Sequence, residues 1–171
     1  MKRHLALIGY RGCGKTSVGR RLSKRLGIPW CDTDVRIQET TGKTIPEIFA
    51  LQGESGFRRI ESAVLAEALS GPDLVLATGG GIILAEGNRL LLREHCFVVW
   101  LKASVEVIHQ RINGDAGRPA LTDLDPLEEI RTVMRIREPL YAGLADLDLD
   151  TGIQPFDRVV DTIADFFEKN N

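Results

Sequence analysis

The sequence has little of what several classes of protein depend on. It contains three cysteines, Cys13, Cys31 and Cys96, an odd number whose positions fit no metal-ligand spacing. It has no apolar run as long as a membrane span. It also has no basic tract, and its net charge is −2, which disfavours a nucleic-acid partner. We therefore expect a reduced, cytoplasmic protein that binds neither membranes nor nucleic acid.

The sequence also lacks any internal repeat, low-complexity tract or linker. The apolar residues that follow Met1-Lys2-Arg3 are too few for a signal peptide, so we expect none. What is present is an ordinary globular composition, with 43% hydrophobic and 27% charged residues. A chain of 171 residues can bury the core of one domain. We therefore expect a single domain over residues 1–171.

Short apolar runs alternate with helical patterns along the whole chain. This alternation is typical of βαβ units around a buried parallel sheet. The sequence thus predicts an α/β fold with a doubly wound sheet, in which ligands bind beyond the carboxyl ends of the strands. The predicted strands are Leu5–Ile8, Trp30–Asp34, Leu74–Ala77, Phe97–Leu101 and, more weakly, Leu147–Leu149.

The segment from Gly9 to Thr16, GYRGCGKT, has the spacing of a phosphate-binding loop. It lies between the first predicted strand and a predicted helix, as such a loop requires. Its glycines would let successive amide groups point at an anion, and the helix start adds unpaired N–H groups. Lys15 could reach the outer phosphates, and the Thr16 hydroxyl could bind magnesium. A Gly-rich turn with this spacing by chance is expected in roughly one chain in a hundred, so the sequence predicts a nucleotide site.

Two aspartates, Asp32 and Asp34, end the second predicted strand. Because strand side chains alternate, both are expected on one face. One could hold magnesium through water, and the other could accept a proton from an attacking hydroxyl. Alternatively, Asp34 caps the helix predicted over 35–41. The nearby phosphate loop favours the functional interpretation.

Arg58 and Glu61 are three residues apart and would share a helix face. They could form a solvated ion pair of little consequence, or Glu61 could brace an arginine that binds a carboxylate. The spacing alone does not decide between these alternatives, whereas Arg59 is expected at the surface.

Three glycines, 79–81, follow the third predicted strand. This indicates backbone that passes close to a small-molecule site.

Two further segments carry arginines. The polar loop 113–122, which contains Arg118, is of a kind that closes over nucleotides, although a loop without function would look similar. Arg137 lies late in a helix that begins after Asp125. Basic residues there suit the helix dipole in any case, so position alone assigns Arg137 no role.

Taken together, these segments resemble the shikimate kinase family over nearly the whole chain. The resemblance implies a nucleoside-monophosphate-kinase-like fold with a five-stranded parallel sheet. It also implies a small substrate-binding subdomain at about 34–61 and a lid at about 112–124. The implied reaction transfers the terminal phosphoryl of ATP to the 3-hydroxyl of shikimate with Mg²⁺, in aromatic amino acid biosynthesis, and we expect a monomer. The matching motifs are the phosphate loop, Asp32-Thr33-Asp34, Gly56-Phe57-Arg58 with Glu61, Gly79-Gly80-Gly81, Gly117-Arg118-Pro119, and Arg137 before Pro139-Leu140-Tyr141.

The resemblance implies a role for each matching residue. The catalytic residues would be Lys15 at the transferred phosphoryl, Asp34 at the substrate hydroxyl, and Arg118, which stabilises charge on the transferring group. ATP would be bound by Gly12, Cys13, Gly14, Lys15, Thr16, Ser17, Arg111 and Arg118, with Arg111 at the position that stacks on adenine. Shikimate would be bound by Asp34, Arg58, Gly80, Gly81 and Arg137, with the two arginines at its carboxylate. Magnesium would be bound by Thr16 and, through water, by Asp32, and apolar walls would come from Ile45, Phe49, Phe57 and Pro119.

The chain departs from the family pattern in two places. Ala120 stands where the lid usually has leucine, which puts the packing of the closed lid in doubt. Residues 151–155 lack an arginine that some members have, so no adenine contact is assigned there. Cys13 has two interpretations: an exposed thiol beside Lys15 would have a depressed pKa and react readily, while one that faces the core would be inert.

Three other functions fit parts of the sequence. The nearest is a kinase of another small polyol acid such as gluconate, against which the two arginines and the triple glycine argue. Another is a catalytically silent nucleotide-binding module, which should have lost acid or lid residues that are present here. A GTPase is disfavoured because the chain has no Asn-Lys-x-Asp motif.

Overall fold

The computed structural model of the chain describes residues 2–112 and 125–171. Five strands form one sheet in the order β2-β3-β1-β4-β5, and every neighbouring pair is parallel. This confirms the predicted α/β sheet. The strands are β1 (His4–Ile8), β2 (Trp30–Asp32), β3 (Val75–Ala77), β4 (Cys96–Lys102) and β5 (Leu147–Asp150).

Helices cover both faces of this sheet, which is why the central strand β1 is buried along its whole length. Leu5 and Leu7 of β1 pack into one hydrophobic cluster, and Ala6 and Ile8 pack into another on the opposite face, as strand alternation requires. The helices are α1 (Lys15–Leu26), α2 (Thr33–Thr41), α3 (Ile45–Ser70), α4 (Glu86–His95), α5 (Val105–Ile112), α6 (Pro126–Leu144) and α7 (Phe156–Asn170), with a short 3₁₀ turn at Ile82–Leu84.

Helix α3 begins with a capping box, in which the Thr44 side chain accepts from the Glu47 amide and the Glu47 side chain accepts from the Thr44 amide. The helix then continues to Ser70 across a kink at Gly53, where φ is 66°. Glycine tolerates this left-handed conformation, so the chain changes direction there without ending the helix.

Helices α2 and α3 form a small layer with its own apolar cluster. Its buried members are Ile37, Ile48, Phe57 and Val64. The expected lid, with Arg118, Pro119 and Ala120, lies outside the described residues apart from Ile112 at the end of α5. None of the helices in the described ranges is both long and apolar enough to cross a membrane.

Candidate active site

A cavity of about 780 Å³ opens at the carboxyl ends of the central strands, where ligands bind in sheets of this kind. Its walls include the phosphate loop, both aspartates of the Asp32-Thr33-Asp34 segment, and parts of α5, α6 and the chain after β5. The cavity therefore brings Asp34 of the predicted acceptor residues together with most of the predicted nucleotide and metal residues, although they are far apart in sequence.

The phosphate loop has the backbone that its glycines predict. Gly9, Gly12 and Gly14 have φ values of 138°, 81° and 90°, a range that favours glycine. Lys15 begins α1, is 9% exposed, and its Nζ donates to the carbonyl oxygens of Gly9 and Tyr10 at 2.8 Å each. The lysine charge is thus held over the mouth of the loop, where an anion would bind.

Cys13 does not have the exposed, reactive thiol that was one of its two interpretations. Its side chain is 0% exposed and belongs to the main hydrophobic cluster. Burial raises the pKa of the thiol, and the opposing effect of the Lys15 charge is smaller. Only the Cys13 backbone is therefore available to a phosphate.

The second strand ends at Asp32, so the prediction that Asp32 and Asp34 share one strand face is wrong. Asp32 Oδ1 accepts from the amides of Asp34 and Val35 at 3.0 and 3.4 Å, and α2 begins at Thr33. The cap is thus Asp32 rather than Asp34, which lies in the first turn of α2. A side chain that satisfies free helix amides stabilises the helix start, and here this shortens the strand.

Asp32 and Thr16 together provide two neighbouring oxygen atoms that could bind a divalent cation. The Thr16 hydroxyl donates to Asp32 Oδ2 at 2.9 Å, beside the phosphate loop. Among the described residues, no group of three or more His, Cys, Asp and Glu side chains could hold a metal. Two adjacent oxygen ligands fit Mg²⁺, which keeps several waters and uses substrate phosphates as its other ligands.

Asp34 and Glu61 face each other across Gly79. A Cβ atom on Gly79 would lie 2.8 Å from Asp34 Oδ1 and 2.9 Å from Glu61 Oε1. The two carboxylates are 9% and 1% exposed. Burial raises the pKa of Glu61, although the Arg58 guanidinium opposes this.

Sequence reasoning missed Thr33, whose buried hydroxyl accepts from the Gly79 amide at 2.9 Å. This hydrogen bond connects the glycine turn to α2.

Arg58 is braced by Glu61, so it is not a solvated surface pair. Its Nη1 donates to Glu61 Oε2 at 2.7 Å, and Nη2 lies 3.4 Å from the more exposed Glu54. Its neighbour Arg59 is exposed, as expected. A Cβ on Gly81 would lie 2.4 Å from Arg58 Nη2, so the guanidinium lies directly against this glycine.

Arg137 reaches the same turn from α6. It is 9% exposed, and its Nη1 lies 3.6 Å from where a Cβ on Gly80 would be. None of the three glycines adopts a positive φ, so Gly79 and Gly81 matter for the space that they leave rather than for backbone conformation, whereas a Cβ on Gly80 would make only ordinary contacts. The predicted close approach at 79–81 is therefore present. It brings two distant arginines to neighbouring residues, next to Asp34.

On the nucleotide side, Arg111 bonds to the phosphate loop and to the chain after β5. Its Nη1 donates to Gly12 O and Thr151 Oγ1 at 3.2 and 2.9 Å, and its Nη2 donates to Thr151 O at 2.7 Å. The Thr151 hydroxyl also lies 3.1 Å from Cys13 O. Sequence reasoning assigned nothing to 151–155, yet Thr151 and Gln154 line the cavity. Their position after the last strand was the signal that could have found them.

Sequence reasoning also missed an ion pair between the phosphate loop and α6. Arg11 Nη2 lies 2.6 Å from Glu129 Oε1, and the Glu129 side chain is 2% exposed. Both residues line the cavity. No spacing rule relates positions so far apart, so only the fold reveals the pair.

Comparison with known proteins gives a consistent result. The family model for shikimate kinase matches residues 11–168. The chain is 42% identical to a shikimate kinase of Thioalkalivibrio sulfidiphilus over 98% of its own length and 88% of the relative's. It is 44% identical to one from Rhodopirellula baltica, over 92% and 86% of the two lengths.

Solved structures agree with the sequence relatives. A shikimate kinase from Acinetobacter baumannii in complex with shikimate is 38% identical, with a TM-score of 0.93 and coverage of 100% of this chain and 96% of that one. A gluconokinase from Sinorhizobium meliloti has a TM-score of 0.66, but at 17% identity it shows only a shared fold. On the family match, the near-full-length relatives and the fold, the chain belongs to the shikimate kinase family.

Proposed function

We propose that the chain transfers the terminal phosphoryl group of ATP to the 3-hydroxyl of shikimate, giving shikimate 3-phosphate and ADP. The observation that carries this proposal is the convergence of Arg58 and Arg137 on the glycine turn beside Asp34. Two guanidinium groups next to a carboxylate base fit an alcohol that also carries an anion. The related Acinetobacter baumannii enzyme, solved in complex with shikimate, supports the same acceptor.

The phosphates of ATP would bind to the backbone of Gly12, Cys13, Gly14 and Ser17, at the positive end of α1. Lys15 would contact the transferred phosphoryl, where its charge offsets the negative charge of the terminal oxygens. Arg111 would contact the adenine end, because it already joins the phosphate loop to Thr151.

Mg²⁺ would be held by the Thr16 hydroxyl and, through water, by Asp32, in keeping with their hydrogen bond at 2.9 Å. When bound, the cation neutralises charge on the outer phosphates. Asp32 also caps α2, so the same carboxylate would relate the position of the cation to that of Asp34, two residues along the chain.

Asp34 would orient the acceptor hydroxyl and take its proton. As the acceptor oxygen bonds to the terminal phosphorus, the bond from that phosphorus to the bridging oxygen breaks and ADP leaves. Arg118 would stabilise charge on the transferring group, a role that rests on the resemblance to the family. The acceptor ring would lie against Phe49 and Phe57, whose rings stack at 4.7 Å, with Gly80 and Gly81 beneath it.

We also propose the remaining features that the family implies. Residues of about 34–61 would form the substrate-binding subdomain, and residues of about 112–124 would form the lid. The chain would act as a monomer. It would act in the cytoplasm, in keeping with its use of ATP and with its three free thiols.

The proposal is tested by specificity constants for shikimate and for its methyl ester, which keeps every hydroxyl and removes the anion. Charge-assisted hydrogen bonds contribute roughly 1.5–3 kcal/mol, so Arg58→Ala or Arg137→Ala should weaken the use of shikimate by about ten- to a few-hundred-fold. Arg58→Lys should be nearly as damaging, because it keeps the charge and loses the planar fork.

The ratio of the specificity constant for shikimate to that for the ester should be smaller in each arginine mutant than in the wild type. Arg59→Ala is the matched control, because this adjacent arginine is exposed on another face and should change neither constant. Losses that simply add between mutant and ester would mean that the carboxylate is recognised elsewhere. Faster turnover of gluconate than of shikimate would identify the rival kinase, and no turnover of either would identify a silent module.

A further inference from the structure

Arg58 and Arg137 are held in different ways, although both are assigned to one carboxylate. Arg58 is paired with the buried Glu61 and with Glu54. Arg137 is 9% exposed, and it makes no ion pair with any carboxylate in residues 2–112 and 125–171. A buried guanidinium without an anion is costly, so something else must hold Arg137 in place.

What lies against Arg137 is an aromatic ring from the phosphate loop. The Cζ atom of Arg137 is 5.9 Å from the centroid of the Tyr10 ring, within the range in which a ring face attracts a cation. Tyr10 is 0% exposed, so the contact is shielded from water, where such interactions are stronger. The ring gives this attraction without bringing an anion.

The arrangement leaves Arg137 little freedom on its other sides. Tyr141 lies four residues later on α6, on the same face of the helix, and its hydroxyl donates to Gly80 O at 2.5 Å. The ring of Tyr141 stacks on Trp100, with their centroids 5.7 Å apart. Arg137 therefore lies between the Tyr10 ring and a glycine turn that its own helix holds.

The Tyr10 ring meets a second guanidinium, from Arg11, at 5.8 Å. That charge is balanced, because Arg11 pairs with the buried Glu129 on α6 at 2.6 Å. The pair also fixes the distance between the phosphate loop and α6, and so keeps the ring of one beside the guanidinium of the other. Of the two cations on this ring, Arg137 is the one that has no carboxylate partner in the described chain.

We infer that Tyr10 is a positioning residue for the acceptor anion: its ring holds Arg137 in the binding geometry, while no carboxylate of the described residues forms an ion pair with the guanidinium. The inference rests on the proposed role of Arg137 and deepens it. A carboxylate in place of the ring would compete with the substrate carboxylate for the same guanidinium. Because Tyr10 belongs to the phosphate loop, the acceptor-binding arginine is fixed directly to the nucleotide-binding loop.

The test compares Tyr10→Leu, which removes the ring and keeps an apolar side chain, with Tyr10→Phe, which keeps the ring. At a distance near the limit for such contacts, Tyr10→Leu should lower kcat/KM for shikimate by roughly three- to tenfold. The decrease should come from a raised KM for shikimate, and the Tyr10→Phe enzyme should keep most of the wild-type kcat/KM. The methyl ester of shikimate should show little difference between the variants.

Four outcomes would overturn the inference. The first two are an equal loss for acid and ester and a raised KM for ATP that accounts for the loss, because both would indicate damage to the phosphate loop. The third is a Tyr10→Leu enzyme that uses shikimate as well as the wild type. The fourth is an undiminished effect of Tyr10→Leu in an Arg137→Ala background, where a positioning effect must vanish. If Tyr10→Leu does not fold, Tyr10→Met keeps more of the volume, and the same comparisons decide the matter.

These outcomes are separate from failure of the proposed function. If the wild type has equal kcat/KM for shikimate and its ester, and Arg137→Ala does not lower either value, the proposed recognition of the carboxylate is wrong. If Arg137→Ala lowers kcat/KM for shikimate alone and Tyr10→Leu lowers neither value, only the proposed role of Tyr10 is wrong.

Discussion

Replacing Gly81 with alanine should weaken substrate binding by Arg58, although Arg58 itself is unchanged. Gly81 has a φ of −96°, which alanine adopts freely, so the added methyl group acts only through the space it occupies. That space is taken, because its Cβ would lie 2.4 Å from Nη2 and 2.6 Å from Nη1 of Arg58. The guanidinium must therefore move away from the turn.

The displacement can be estimated from these contacts. Ordinary van der Waals contact begins at 3.4 Å, so Nη2 must move by about 1 Å from its present 2.4 Å. A misplacement of about 1 Å in a binding geometry can cost ~10²-fold, in line with the loss of one arginine's charged hydrogen bonds. The move also loosens the bond of Arg58 to Glu61, which is 1% exposed. We therefore expect the free energy of unfolding to fall by about 1–3 kcal/mol.

The assay follows ADP release in a coupled spectrophotometric reaction with shikimate and with its methyl ester. The expected result is a KM for shikimate raised by about ten- to a hundredfold, with a smaller change for the ester. Gly87→Ala is the control, because its Cβ would meet nothing within 4 Å. A Gly81→Ala enzyme with an unchanged KM for shikimate would refute the reasoning, because it would show that the present position of Arg58 is not needed.

Three further results are expected. Asp34→Asn should lower turnover by ~10²–10⁴-fold, near the lower end because the transition state is loose, and leave the KM for ATP unchanged; near-normal turnover in steady-state kinetics would contradict the role of Asp34. Cys13, buried and with a raised thiol pKa, should react with iodoacetamide far more slowly than a free thiol, and rapid inactivation that is lost in Cys13→Ser would show the reverse. Burial lowers the pKa of His4, which is 0% exposed and lies 3.1 Å from Leu69 O. The unfolded chain therefore takes up a proton first as the pH falls below about 6.5, and stability is lost there; His4→Gln should flatten the dependence of Tm on pH below about 6.5, and an unaltered slope would exclude His4 as its cause.

Local chemistry determined which parts of the site the sequence could predict. The phosphate loop could be predicted because its glycines, Lys15 and Thr16 belong to one short segment with a characteristic spacing. The pairing of Arg58 with Glu61 was foreseen as an alternative for the same reason, since the two residues share a helix face. The second strand was predicted to extend to Asp34, but it ends at Asp32. The same residues fit either a continuing strand or the cap of the next helix, and the sequence pattern did not distinguish the two.

Contacts between distant segments could not be predicted. Thr33 looked like a spacer between two aspartates, and its partner, the Gly79 amide, lies on another strand end. The ion pair of Arg11 with Glu129 joins the phosphate loop to a helix near the other end of the chain. The triple glycine indicated a close approach, but residue spacing did not identify the groups that approach, and only the resemblance to the family placed Arg58 and Arg137 there.

The separate apolar cluster between α2 and α3 has a consequence for how the molecule opens. Ile37, Ile48, Phe57 and Val64 pack with one another, apart from the two clusters on the sheet, and Gly53 interrupts α3 within this layer. Such a layer can unfold by itself, so its amide protons should exchange with solvent at a lower free energy than those of β1. Shikimate bound at Arg58 would oppose that opening, by about 2.7 kcal/mol at a hundred times its Kd. Acceptor binding would then be visible as slowed hydrogen exchange confined to α2 and the first half of α3.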